Sequence, residues 1–175
     1  PDGLWASGLL SSVDPKGRGF SQAKGYFEAR MRMPPGPGTW PAFWLVAHSD
    51  PEYHAEIDVV EYYGHGTGWY NCTLHLWPKS QDLTQDGFQK TISVPDHALV
   101  NGYHTYGVDI ADDLIRFYLD RDEVARTPTP RAALEPMSIL IDLALGSGWP
   151  INRTPNPSIL HVDYVKAFQR KSADG

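Results

Sequence analysis

The run from Ala55 to Gly64 places three carboxylates inside an otherwise apolar, β-branched segment, AEIDVVEYYG. β-Branched residues favour a strand, where acidic residues are depleted. On a strand, side chains two positions apart share a face, so Glu56 and Asp58 point the same way. Glu61 points to the opposite face unless one inserted residue shifts the alternation. A β-bulge near Val59–Val60 would bring all three carboxylates onto one surface, and bulges are common beside active sites.

The rest of the chain consists of short alternating segments separated by turn-forming residues. Sixteen glycines and fifteen prolines among 175 residues favour many turns and argue against a helical bundle. Apart from a turn at 132–134, no long helical periodicity is present. Strands are predicted at 8–12, 25–33, 39–46, 55–61, 69–77, 90–94, 104–110, 114–119, 123–126, 138–145 and 158–170. With no repeat and no linker, we predict one all-β domain over residues 1–175, a sandwich or jelly roll.

Charge and composition exclude several classes of function. The net charge is −6 without a basic patch, so we expect no nucleic-acid partner. No run of about 18 apolar residues is present, so we expect no membrane span. The single cysteine, Cys72, excludes an intrachain disulfide. No signal peptide is visible, and we interpret the chain as a mature form or a trimmed domain.

The acidic strand carries the residue types that glycoside hydrolysis needs. That reaction uses two carboxyl groups, a nucleophile and a proton donor, whose pKa values are pushed apart. Carboxylates on one strand would lie about 5–6 Å apart, a separation that predicts retention of anomeric configuration. Asp58, between the other two, would accept or donate a hydrogen bond and tune its neighbour's charge. The alternatives are a solvated strand face or a calcium site.

A metal centre is a further alternative, although the spacing matches no short metal-binding motif. Its candidate ligands are His54, Glu56, Asp58, Glu61, His65 and His75.

Tryptophan and tyrosine are abundant, and both suit stacking on sugar rings as well as core packing. Trp40 and Trp44 share a strand face, and His75 shares another with Trp77. Trp149 lies in a Gly/Pro loop, where core packing explains it less well. A sugar cleft beside the acidic strand is the functional interpretation of these residues, and core packing is the structural one.

Taken together, these segments resemble glycoside hydrolase family 16. The similarity is carried by GTWPAFWL at 38–45 followed by EIDVVE at 56–61. It continues through 25–30, 103–108, 115–120, 143–150 and 162–165, which covers most of the chain. The resemblance implies a concanavalin-like β-jelly-roll sandwich with a concave substrate cleft. The E-x-D-x-x-E spacing is that of the bulged branch, which includes laminarinases and bacterial exopolysaccharide glycanases.

The same resemblance implies roles for individual residues. Glu56 would be the nucleophile, Glu61 the acid/base and Asp58 the assisting acid. No cofactor is required for this chemistry. The residues expected to bind substrate or shape the cleft are Glu28, Arg30, Trp40, Trp44, His75, Trp77 and Trp149.

Two departures from the family pattern lead to further expectations. The chain lacks the initial strands that usually pair with the last strand and help to bind a structural calcium. Asp163 matches one calcium position, and the missing strands imply exposed sheet edges. Asp142 stands where relatives often carry Asn, which would change a sugar contact.

Our hypothesis from the sequence is a retaining endo-glycosidase acting on a β-linked polysaccharide. The candidate substrates are β-1,3-glucan, mixed-linkage glucan and a bacterial exopolysaccharide, with specificity set by loops 47–54, 64–68, 78–88 and 146–157. A transglycosylase using the same residues and a non-catalytic carbohydrate-binding jelly roll remain as alternatives. We expect a monomer that is secreted or periplasmic.

Overall fold

The computed structural model describes residues 5–170, so the two ends of the predicted domain, 1–4 and 171–175, lie outside the described part. The strands are β1 (Gly8–Ser11), β2 (Gly25–Arg32), β3 (Thr39–Ala47), β4 (Tyr53–Glu61), β5 (Trp69–Pro78), β6 (Asp86–Ser93), β7 (His104–Ile110), β8 (Leu114–Leu119), β9 (Asp122–Pro128), β10 (Ser138–Leu145) and β11 (His161–Phe168). Within residues 5–170 they form two antiparallel sheets, ordered β1-β10-β3-β4-β5-β6 and β11-β2-β7-β8-β9. The all-β jelly-roll prediction is therefore confirmed.

Element boundaries differ from the predictions mainly where polar residues continue a strand. β6 begins at Asp86, four residues before the predicted start, and β11 is shorter than the predicted 158–170. The turn predicted at 132–134 is a 3-10 helix, Arg131–Leu134. One α-helix, α1 (Ala98–Asn101), was not predicted because four residues are too few to show a helical period.

The hydrophobic core lies between the two sheets and is built by side chains that alternate along the strands. From β2, Phe27, Ala29 and Met31 are all fully buried. Tyr70 of the first sheet and Tyr106 of the second pack edge to face, with ring centroids 5.7 Å apart. Burying each large side chain of this kind contributes about 1.5–3 kcal/mol, and the core therefore holds the two sheets together.

The predicted bulge lies on β4. The pairing register of β4 with β3 changes between Phe43 and Trp44, and its register with β5 changes between Asp58 and Glu61. Val59–Val60 are both buried in the core, as a regular two-residue alternation would not allow. The extra residue turns Glu61 to the same outer face as the other two carboxylates, which confirms the structural prediction made from the spacing.

Apolar side chains are exposed along the edge strands β1 and β11, as expected from the sequence. Leu9 and Leu10 of β1 are 58% and 70% exposed, and Phe168 of β11 is 48% exposed. Across residues 5–170, no helix is both long and apolar enough to span a membrane.

Candidate active site

A cleft of about 590 Å³ lies on the outer face of the first sheet, with the bulged strand β4 at its centre. The core-facing residues of β3, β4 and β5 alternate with the cleft-facing ones, so the same strands build both surfaces. Ser7, Gly8, Leu9, Trp40, Ala42, Trp44, Glu56, Asp58, Glu61, His75, Trp77, Asp142 and Ala144 line the cleft. The structure thus brings all three carboxylates of the acidic strand together with three of the four candidate tryptophans.

Asp58 is almost completely buried at the centre of the cleft, with 6% of its surface exposed. His75 of β5 reaches it, with Nε2 3.3 Å from Oδ2 of Asp58. Burial raises the pKa of the Asp58 carboxyl, and the hydrogen bond with His75 opposes that rise. The same hydrogen bond raises the pKa of His75. The hydrogen bond thus favours the charged form of both groups, while burial of Asp58 works against its ionisation.

Glu56 lies two residues before Asp58 on β4 and directly opposite His75 of β5 in the register of the two strands. Burial and the neighbouring charge of Asp58 raise the pKa of Glu56 from its ordinary 4.5 to about 6. The Trp77 ring stacks on His75, with centroids 4.8 Å apart, and covers this side of the cleft. Glu56 is consequently a carboxylate that is poorly solvated and whose ionised form is less stable than usual.

Glu61 is held by a separate set of aromatic groups. The indole Nε1 of Trp40 donates a hydrogen bond to Oε1 of Glu61 at 2.8 Å. Tyr63 stacks on Trp40 with centroids 6.2 Å apart, and burial followed by a hydrogen bond with Glu61 raises the pKa of Tyr63. Sequence reasoning missed Tyr63 as a site residue. The available signal was its position two residues after Glu61 in the acidic run, where a continued strand alternation would predict that both side chains point the same way.

Asp142 of β10 is the fourth carboxyl group in the cleft. It accepts a 2.8 Å hydrogen bond from the indole Nε1 of Trp44. Burial raises its pKa, and the hydrogen bond from Trp44 limits that rise. The Trp44 ring is thereby fixed in the cleft wall.

Trp149 does not line this cleft. Its ring stacks on His65 with centroids 3.9 Å apart, and 40% of its surface is exposed. A role for Trp149 in substrate binding stays a prediction, now placed on a neighbouring loop surface.

Glu28 and Arg30 lie away from the cleft: both are on β2 in the second sheet, and neither lines it. Glu28 is buried and accepts hydrogen bonds from Tyr26, Tyr164 and Arg121. Burial opposes ionisation, but these donors outweigh it and hold the pKa of Glu28 below its ordinary value. The Glu28 network therefore stabilises the second sheet.

A calcium role for Asp163 stays a prediction. Its Oδ2 accepts a 2.6 Å charged hydrogen bond from Nη1 of Arg30, which also packs over the ring of Tyr103. Calcium takes six to eight oxygen ligands, and the side-chain contact that the structure gives Asp163 is with a cation, which does not favour such a site.

The metal alternative is reduced to three residues. Among residues 5–170, the only group of three or more histidine, cysteine or acidic side chains with ligand atoms all within 4.8 Å comprises Glu56, Asp58 and His75. His54 pairs instead with His48, their Nδ1 atoms 3.0 Å apart, and His65 stacks on Trp149 as described. The Asp58–His75 contact and the β4–β5 register, which places Glu56 opposite His75, explain the proximity of these groups without an ion.

The chain matches the model of the family Glycosyl hydrolases family 16 over residues 8–166. It is 34% identical to each of two endo-1,3-1,4-beta-glycanases, ExsH and EglC of Rhizobium meliloti (strain 1021), over 94% of this chain and 33% of each relative. It is 29% identical to glucan endo-1,3-beta-glucosidase A1 of Niallia circulans, over 95% of this chain and 27% of that protein. The chain spans about a third or less of the length of these curated relatives.

Solved structures share the fold. The laminarinase catalytic domain from Thermotoga maritima MSB8 superposes with a TM-score of 0.76 at 20% identity, over 95% of this chain and 76% of that one. The catalytic domain of an endo-1,3-beta-glucanase from Thermotoga petrophila RKU-1 gives a TM-score of 0.73 at 21% identity, over 93% of this chain and 75% of that one. The likeness extends over nearly the whole sandwich described above.

Proposed function

Because the chain belongs to glycosyl hydrolases family 16, we propose that it is an endo-acting β-glucan hydrolase that retains anomeric configuration. The observation that carries this proposal is the bulge on β4, which turns Glu61 to the face of Glu56 and Asp58 in an aromatic cleft. The names of its relatives, endo-1,3-1,4-beta-glycanases and a glucan endo-1,3-beta-glucosidase, support β-1,3- or mixed-linkage glucan as the substrate.

In the first step, the ionised carboxylate of Glu56 attacks the anomeric carbon of the bound sugar. Glu61 donates its proton to the glycosidic oxygen, the C–O bond breaks, and the reducing-end fragment leaves. The product is a covalent glycosyl-enzyme on Glu56. In the second step, Glu61 removes a proton from water, which attacks the anomeric carbon and releases Glu56 with net retention.

The surroundings of Glu56 favour the first step. Burial and the charge of Asp58 destabilise the ionised form of Glu56 and so raise its pKa. Forming the ester removes that charge, so the repulsion between Glu56 and Asp58 is relieved as the bond forms. His75 balances the charge that remains on Asp58. Trp40 holds the Glu61 carboxyl in place without blocking its second oxygen.

Trapping the glycosyl-enzyme tests the proposal directly. A 2-deoxy-2-fluoro glycoside of a β-glucan oligosaccharide with a good leaving group forms the ester rapidly and hydrolyses slowly. Peptide mass spectrometry should then find the label on Glu56. The variant Glu61→Gln should still be labelled, because a good leaving group needs no proton, whereas Glu56→Gln should not be labelled. A label on any other residue would overturn the assignment of the nucleophile.

A second candidate function is glucan binding without hydrolysis. The chain is 28% identical to a beta-1,3-glucan-binding protein of Penaeus monodon over 58% of this chain and 30% of that protein. Release of oligosaccharides from laminarin or mixed-linkage glucan separates the two functions. Unchanged polymer together with saturable binding would favour the binding function. New, longer oligosaccharides at high acceptor concentration would instead identify transglycosylation.

We further propose that the protein acts as a monomer outside the cytoplasm and without a cofactor. A polysaccharide is too large to reach an enzyme that stays behind a membrane, which supports the location. Cell fractionation, size-exclusion chromatography with light scattering, and activity in the presence of EDTA test these three points. Loss of activity with EDTA that only a transition metal restores would revive the Glu56, Asp58 and His75 metal site.

A further inference from the structure

The charge of the cleft is unbalanced. Four carboxyl groups line it, from Glu56, Asp58, Glu61 and Asp142, and the lining residues in the described range 5–170 include no lysine and no arginine. His75 is the only cationic group that faces them there, and it is already paired with Asp58 at 3.3 Å. Even when Glu61 is protonated for the first step, the other three carboxyl groups face a bound sugar, and one imidazole is available to balance their negative charge.

Asp142 differs from the other three carboxyl groups, because the proposed chemistry gives it no role. It comes from β10, where it pairs in register with Ala42 on one side and Leu9 of β1 on the other. Its Oδ1 is bound to the indole of Trp44, which keeps the carboxyl group against the cleft wall. A carboxylate only accepts hydrogen bonds when ionised, so Asp142 offers an acceptor to a sugar hydroxyl and repels an anionic substituent.

Building on the glucanase function proposed above, we propose that Asp142 sets the charge specificity of the cleft. It restricts the sugar units bound beside Glu56 and Glu61 to uncharged ones, and it excludes units that carry a carboxylate, sulfate or acidic ketal. Units outside the cleft are not subject to this restriction.

The physical basis is repulsion in a partly buried site. The aromatic walls formed by Trp40, Trp44 and Trp77 keep the local dielectric constant below that of water, so repulsion between carboxylates is stronger there than at an exposed surface. An anionic sugar unit would also lose its hydration without gaining a cationic partner. Neutral sugar hydroxyl groups are not subject to this repulsion or to this loss of charge hydration, and they can donate hydrogen bonds to the carboxylates.

The test compares two substrates that differ in charge. One is a β-glucan that the enzyme hydrolyses, and the other is the same glucan with a fraction of its C6 carbons oxidised to carboxylates. The readout is the ratio of initial rates on oxidised and unmodified glucan, measured for the wild type, Asp142→Asn and the control Asp122→Asn. Asp122 is exposed on β9 of the other sheet, so its variant removes one charge away from the cleft.

We expect the wild type to discriminate against the oxidised glucan at low salt. Asp142→Asn should raise the ratio by about threefold or more, and the control should leave it unchanged. Raising the ionic strength from about 0.02 M to 0.5 M should narrow the difference for the wild type, because salt screens charge but not shape. A purely structural role for Asp142 would lower both rates together and leave the ratio fixed.

Two results would overturn the inference while leaving the glucanase function intact. One is a wild type that hydrolyses both glucans equally. The other is a ratio that Asp142→Asn leaves unchanged, whatever its response to salt. Failure of the wild type to hydrolyse the unmodified glucan would instead count against the proposed function itself.

Discussion

Replacing Glu56 by glutamine should abolish hydrolysis and at the same time stabilise the fold above pH 6. The glutamine amide keeps the shape of the protonated carboxyl group but removes a charge that the cleft holds unfavourably. Burial and Asp58 raise the pKa of Glu56 from 4.5 to about 6. At about 1.4 kcal/mol for each pH unit, a rise of that size corresponds to about 2 kcal/mol. Because part of the side chain faces solvent, screening reduces the expected gain to about 1 kcal/mol.

The direction of this pH dependence follows from the linkage between proton binding and folding. The folded state binds the Glu56 proton more tightly than the unfolded state, so this group favours folding below pH 4.5 and loses that contribution as the pH rises through about 6. Glu56→Gln should therefore match the wild type in stability near pH 4.5 and exceed it above pH 6. For a protein of this size, about 1 kcal/mol corresponds to a rise of about 2–4 °C in Tm.

Thermal unfolding followed by circular dichroism at pH 4.5, 6.0 and 7.5 measures this effect, with urea titrations at the same pH values as a second measure. The matched control is Glu52→Gln, an exposed carboxyl group just before the start of β4. The control should show no such pH-dependent difference. A Glu56→Gln protein that is less stable than the wild type at pH 7.5, or whose gain does not grow between pH 4.5 and 7.5, would refute the electrostatic account of this site.

Three further outcomes are expected. First, kcat/KM on unmodified glucan should fall as the pH drops below about 6, because protonation of Glu56 removes the nucleophile, and a pH–rate profile with no acid limb between pH 5 and 7 would contradict this. Second, deletion of Val59 should remove the bulge and turn Glu61 toward the apolar core, which abolishes activity. Urea denaturation should then show that the free energy of unfolding falls by at least about 3 kcal/mol. Retained activity would show that the bulge does not orient Glu61. Third, Glu28→Ala should lower the free energy of unfolding by about 2 kcal/mol, because Tyr26 and Tyr164 lose their hydrogen-bond acceptor. The kcat on glucan should stay within twofold of the wild type. A fall in kcat without a loss of stability would indicate that Glu28 acts in the active site.

The sequence alone determined the local features of the site. Alternation of apolar and polar residues identified which face of each strand is buried, and the E-x-D-x-x-E spacing required an inserted residue if the three carboxylates were to share a face. The structure contains that bulge, at the expected residues. Tyr63 was also within reach of the same reasoning, because it follows Glu61 by two positions, just past the end of β4.

Only the tertiary structure decided which sheet each polar face belongs to. Glu28 and Arg30 alternate with core residues just as Trp40 and Trp44 do, and a period of two distinguishes inside from outside but not one sheet from the other. Asp142 enters the cleft because β10 pairs with β3, about a hundred residues earlier in the chain. Such pairings depend on how the whole core packs, and no local pattern encodes them. The position of the acidic strand was therefore readable from its own residues, whereas the neighbours that set its charge became visible only in the fold.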